Sequence, residues 1–205
     1  MSRNRLLPVI AGLLGAALLL GACEQAREAL PGKRGEERGG TEGAFQLGEV
    51  RAIDPLDRPD SGQKAQAEAQ KVTALMNNFY NAAFLDPAKW QGGQHPDLAG
   101  LFTAEAQTGV GPNLGNLALA DLAGKLERVE SSKQSIDRLT FFVEDDGSLP
   151  IGVASVTFEA VGTPTEGDGE VAIRHGAHYW LQRDGDGYKI SAFDAGVAAG
   201  QGPAR

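Results

Sequence analysis

The stretch EVAIRHGAHYWLQRDGDGYKISAF, residues 170–193, carries the pattern that decides the fold. Two runs rich in branched and aromatic residues, Glu170 to Gln182 and Tyr188 to Phe193, flank the turn Asp184-Gly185-Asp186-Gly187. Such runs joined by Asp-Gly pairs predict a β-hairpin, because glycine accepts the positive φ that tight hairpin turns require. Side chains alternate between the two faces of a strand. That places Val171, Ile173, His175, Ala177, Tyr179 and Leu181 on one face and Arg174, His178 and Trp180 on the other. His175 and His178 therefore point apart and form no joint metal pair. They read as a core-edge histidine on one side and a surface histidine on the other.

Upstream, Ile136 to Val143 and Ile151 to Val161 have the same composition. Asp145-Asp146-Gly147-Ser148 lies between them, and the polar segment Gly162 to Gly169 follows. The four runs predict an antiparallel meander. Neither acidic turn is a calcium loop, since an EF-hand closes with a bidentate Glu about twelve positions from its first ligand.

The strands follow a helical half. Val72, Leu75, Met76, Phe79, Tyr80, Ala83 and Phe84 recur at helical steps after the helix formers Ala65 to Lys71. They mark one face of an amphipathic helix. Asp86-Pro87 ends it, because the residue before proline avoids helical angles. Pro87 to Trp90 predicts one short turn capped by Asp86, and Pro96 to Phe102 a second short helix. Thr103 and Glu105 form a capping pair, and Gly109-Val110-Gly111-Pro112 reads as a loop. Leu114, Leu117, Ala118, Leu122, Leu126 and Val129 predict a third helix over 116–129. Helices first and strands afterwards give an α+β domain with helices on one face of the sheet.

This element order, with the closing hairpin Tyr179 to Ser191, resembles the NTF2-like, or cystatin-like, α+β cone. The resemblance covers about two-thirds of the chain and lies in element order rather than in a signature motif. It implies N-terminal helices packed on a curved antiparallel sheet around a conical pocket. In that superfamily the pocket serves catalysis in some members and binding or dimerisation in others. It makes Tyr80, Phe84, His178 and Trp180 the expected pocket-lining residues. An enzyme of this kind would use a His or carboxylate base with a Tyr or Asp donor. By composition its candidates are Tyr80, His175 or His178, and Asp194.

The amino-terminal region gives an address. Arg3 and Arg5 precede the apolar run Leu6 to Leu20, as in a secretory signal. Leu20-Gly21-Ala22-Cys23 resembles the lipobox of bacterial lipoproteins, and Cys23 is the single cysteine of the chain. The resemblance implies cleavage before Cys23, a diacylglyceryl group on its sulfur and acylation of the new amino terminus. Two acyl chains suffice for stable attachment to a bilayer. With one cysteine the domain is held by its apolar core and not by disulfides.

Residues 24–63 are polar and rich in breakers, among them Pro31-Gly32, Gly39-Gly40, Pro55 and Pro59. They read as a flexible tether whose root-mean-square span as a coil is roughly 35 Å. Within it Ala44-Phe45-Gln46-Leu47, with Val50 and Ile53, has the composition to dock on the domain or on a partner. The expected organisation is thus a signal peptide over 1–22, a lipidated Cys23 and tether over 23–63, a domain over 64–198 and a disordered tail over 199–205.

Removing the two arginines of residues 1–22 leaves 17 Lys+Arg against 27 Asp+Glu, a formal charge of −10. Such a surface repels phosphates and excludes nucleic acid as a partner. His95 precedes a proline in a loop and reads as exposed. No Ser-His-Asp order, phosphate-cradling glycine loop or nucleophilic cysteine is present, and no cofactor or metal is expected. The sequence reads as a membrane-anchored extracytoplasmic lipoprotein whose domain binds an envelope protein or an apolar ligand without catalysis. The alternative is a small-pocket NTF2-like isomerase or dehydratase.

Overall fold

The computed structural model describes residues 44–201, which form an α+β domain with one five-stranded sheet. The signal peptide, Cys23, the first part of the expected tether and residues 202–205 lie outside the described residues. In chain order the main elements are β1 (Gln46–Ile53), α1 (Ser61–Tyr80), α2 (Ala104–Val110), α3 (Leu114–Leu117), β2 (Leu126–Phe142), β3 (Ile151–Pro164), β4 (Val171–Asp184) and β5 (Gly187–Gln201). Strands lie in the order β1-β2-β3-β4-β5. The antiparallel meander runs from β2 to β5 as expected, and β1 joins its edge in parallel to β2.

The apolar stripe of α1 buries Ala65, Ala69, Val72, Leu75, Met76, Phe79 and Tyr80. Opposite it, the inner sheet face presents Ile136, Leu139, Phe141, Val156, Phe158, Ile173, Tyr179 and Leu181, all buried. Burial of a side chain as large as Phe79 contributes about 2–3 kcal/mol. At Asn81 the helix widens into a π-helical turn, Asn81–Leu85, which buries Ala82, Ala83 and Phe84. Asp86 leaves helical angles before Pro87 and caps the next turn by accepting from the Ala88 N–H at 3.2 Å.

Five sequence expectations change here. The tether expected over 23–63 contains β1 and the first turn of α1. The apolar patch docks on its own domain: the Phe45 N–H donates to Asn77 Oδ1 at 3.0 Å, while Leu47, Val50 and Ala52 pack on the core. Gly48 permits the approach, because a Cβ there would stand 2.6 Å from the Asp137 carbonyl oxygen. The carboxylate of Asp54 then closes the loop to α1, accepting from the Ser61 hydroxyl, the Leu56 N–H at 2.9 Å and the Arg58 N–H at 3.1 Å.

The helix expected over 116–129 is four residues of α3, a 3-10 turn at Ala120–Leu122 and the start of β2. Gly124 at φ +73° breaks the run. Leu126 and Val129 stay buried three apart because the β2–β3 register shifts between Leu126 and Arg128, a bulge that resets which face is inward. The loop expected at 109–112 is the end of α2, capped by Thr103, and a 3-10 turn at Gly111–Asn113. Of the short helix expected over 96–102, only a 3-10 turn at Ala99–Leu101 forms. The tail expected from residue 199 is still strand as far as Gln201.

Candidate functional site

The last turn of α1 and the middle of β4 bring a polar pair into the apolar interior. The Tyr80 hydroxyl lies 2.7 Å from His175 Nδ1, and His175 Nε2 lies 3.1 Å from the Asn116 carbonyl oxygen of α3. A carbonyl only accepts, so Nε2 carries the proton, Nδ1 accepts, and the Tyr80 O–H donates to it. Burial lowers the His175 pKa to about 4, against which the Asn116 bond acts, so the ring is neutral at pH 7. Burial also raises the Tyr80 and Tyr179 hydroxyls well above the ordinary tyrosine value. The buried Tyr179 hydroxyl is close enough to Tyr80 to raise its pKa but does not meet it in hydrogen-bond geometry.

Aromatic rings close around this pair. Phe84 stacks on Tyr80 with centroids 5.2 Å apart and meets the His175 ring at 4.8 Å. Phe158 approaches Tyr80 at 5.0 Å and Phe45 at 4.8 Å. Phe79, Phe84, Leu139 and Phe141 are all fully buried. Both nitrogens of His175 are engaged inside the fold.

Of the pocket-lining residues expected from the sequence, Tyr80 and Phe84 come together, and His175 joins them. His178 and Trp180 do not: both are exposed on the opposite face of the sheet, as strand alternation requires. There His178 Nδ1 lies 3.0 Å from the Ser155 hydroxyl, with Asp194 across from it in register. They line a shallow groove of about 410 Å³ with Asp137. Asp194 is thus separated from Tyr80 by the thickness of the sheet. His95, expected to be exposed, is buried; its Nδ1 lies 3.3 Å from the Ala82 carbonyl oxygen of the π-helical turn, and burial lowers its pKa.

A cleft of about 540 Å³ opens where the end of α1 and the π-helical turn face the start of β1. Asn77, Asn78 and Gln134 line it with amides, Lys89 and Asp97 with opposite charges. Lys89 Nζ donates to Asn81 Oδ1 at 3.3 Å and lies 3.6 Å from Asp86. The sequence reading passed over this cleft. Its one signal was the cluster Asn77, Asn78 and Asn81, polar residues of low helix propensity at the end of a strong helix. Among the described residues no cluster of three His, Cys, Asp or Glu side chains could hold a metal, and no helix is long and apolar enough to cross a membrane.

No family model matches the chain, and no curated protein matches it in sequence. Among solved structures it is similar to the crystal structure of a hexachlorocyclohexane dehydrochlorinase (LinA) Type2. The likeness covers 69 % of this chain and 90 % of that one, at 12 % identity and a TM-score of 0.41. A likeness of that size says nothing about reaction or ligand.

Proposed function

We propose that the chain is a lipid-anchored extracytoplasmic domain of the bacterial envelope that binds a protein partner without catalysing a reaction. The anchor rests on the resemblance of Leu20-Gly21-Ala22-Cys23 to a lipobox after an apolar signal. On this reading 22 residues separate Cys23 from β1, which limits the reach of the domain to about 80 Å from the acyl chains. The NTF2-like character of the fold belongs to the same proposal and rests on helices packed against a bulged meander.

One observation carries the preference for binding over catalysis. His175, the buried histidine with a hydroxyl in reach, has both ring nitrogens committed inside an aromatic cage. A general base needs a nitrogen facing its substrate. The same Tyr80–His175 pair is what favours the second reading, a small-pocket isomerase or dehydratase, which requires the cage to open at Phe84.

The anchor is tested by feeding radioactive palmitate to bacteria expressing the full chain or its Cys23→Ala variant. Label and membrane retention are expected for the parent chain only. Equal labelling of the variant removes the anchor. Cross-linking of the full chain in membranes, followed by mass spectrometry, tests the binding reading. A cross-linked envelope protein that persists in His175→Phe is the expected result; turnover that vanishes in that variant would replace the proposal with the enzyme.

A further inference from the structure

The five large apolar side chains left exposed among the described residues are Ile53, Leu56, Phe142, Ile151 and Trp180, between 40 and 61 % exposed. They are not scattered. Ile53 pairs with Phe142 and Phe142 with Ile151, so three adjacent strands place them on one rung. Trp180 pairs with Val153, two residues along β3 from Ile151. Phe142, Ile151 and Trp180 each adjoin buried residues, Phe141, Gly152, Tyr179 and Leu181 among them, which puts them on the outer face, and Ile53 shares it through its pairing with Phe142 and the packing of its neighbour Ala52 on the core. Leu56 follows three residues after Ile53 in the loop leaving that end of the sheet.

The same end carries the acidic turns. Glu144, Asp145 and Asp146 join β2 to β3, Asp184 and Asp186 bracket the β4–β5 turn, and Asp57 lies in the loop after β1; all are exposed. The cations nearby are already engaged, Lys189 and Arg58 on these turns themselves. Arg51 pairs with Glu49 at 2.5 Å, Lys189 with Asp184 at 2.9 Å and Lys64 with Asp60 at 3.0 Å. Arg58 donates to the Glu144 and Asp145 carbonyl oxygens at 3.1 and 2.5 Å. Among the described residues Glu144, Asp145, Asp186 and Asp57 pair with no cation.

We propose that this outer face, Ile53, Phe142, Ile151 and Trp180 with its carboxylate rim, is the docking surface for a cationic amphipathic segment of a partner protein. The inference rests on the reading of the chain as a partner-binding domain and gives that partner its chemistry. Apolar residues of the segment cover the rung, and its Lys or Arg side chains meet the acidic turns. Area argues against a second copy as occupant. Five half-exposed side chains offer on the order of 500 Å² at roughly 200 Å² for a large side chain, whereas a stable pair buries about 800 Å² on each side. Charge argues against an anionic bilayer, whose surface potential repels the rim.

The test titrates the full chain, purified in detergent, with a fluorescent 18-residue Leu/Lys amphipathic helix and its Leu/Glu counterpart. Phe142→Ser/Trp180→Ser and Glu144→Gln/Asp145→Asn are compared, with circular dichroism to confirm folding. The expected result is binding of the Leu/Lys helix alone, weakened at least about tenfold by the first pair and about threefold by the second. Equal binding of the Leu/Glu helix, or Leu/Lys binding indifferent to both pairs, overturns the surface. So does sedimentation showing self-association that Trp180→Ser abolishes, or flotation with phosphatidylcholine vesicles that Trp180→Ser abolishes. In membranes, a cross-linked partner retained by Phe142→Ser/Trp180→Ser overturns this surface while partner binding stands. Turnover without any cross-linked partner overturns the reading beneath it.

Discussion

The Tyr80 hydroxyl donates to Nδ1 of His175 at 2.7 Å, joining residues 95 positions apart inside the aromatic interior. Nε2 of the same ring donates to the Asn116 carbonyl at 3.1 Å, so one imidazole ties α1, β4 and the segment around α3 together. A buried polar group is tolerated only while its partners are present.

Tyr80→Phe keeps the ring packing and removes the donor, leaving Nδ1 buried without a partner. The expected loss is about 1–3 kcal/mol of unfolding free energy. Urea unfolding followed by circular dichroism measures it. A change below about 0.5 kcal/mol would mean that the bond contributes nothing.

The same histidine sets a pH dependence. Its folded pKa of about 4 lies below the ordinary value of 6.5, so the unfolded chain binds more protons between them. Stability therefore rises with pH across that window, is complete above about 6.5 and falls away toward pH 4. The full swing is on the order of 3 kcal/mol. His175→Phe is expected to flatten this part of the stability curve while leaving the steeper acid limb of the carboxylates. An unchanged slope between pH 4 and 6.5 would refute the assignment.

Gly48→Ala tests the docking of β1. The added methyl meets backbone oxygens of Asp137 and Ile136 at 2.6 and 3.0 Å, neither of which can turn aside. The strand is expected to separate locally at a cost of about 1–3 kcal/mol. Hydrogen exchange of the amides from Leu47 to Ile53 should accelerate, with those of β3 and β4 unaffected.

Arg183 clamps the closing hairpin to α1. It lies 2.7 Å from Glu68 and stands over the Tyr188 ring at 5.2 Å, while the Tyr188 hydroxyl donates to the Leu149 carbonyl at 2.7 Å. Arg183→Met leaves the Glu68 carboxylate with Lys71 alone, 3.0 Å away. Because that pair is partly exposed, the expected loss is about 1–2 kcal/mol, below the value for a fully buried pair. Thermal unfolding of the variant beside Glu68→Gln/Arg183→Met reads it: the double variant should recover part of the loss.

Local chemistry alone determined a good part of this protein. The steps from Val72 to Phe84 specified α1, Asp86 before Pro87 its end, and Asp184-Gly185-Asp186-Gly187 the hairpin, because each depends only on neighbours a few residues away. Alternation in β4 separated His175 from His178 for the same reason. The tertiary structure decided the rest. Leu126 and Val129, three apart, mimic a helical stripe until bulges pair β2 with β3, and only that pairing shows which face is inward. The segment from Ala44 to Ile53 has too little apolar surface to fold alone; it becomes a strand when Gly48 lets it approach Asp137. His175 meets Tyr80, and Ile53, Phe142, Ile151 and Trp180 gather on one surface, through contacts far apart in the chain. No period in the sequence encodes such distances, since they arise from strand register and from how the helix lies across the sheet.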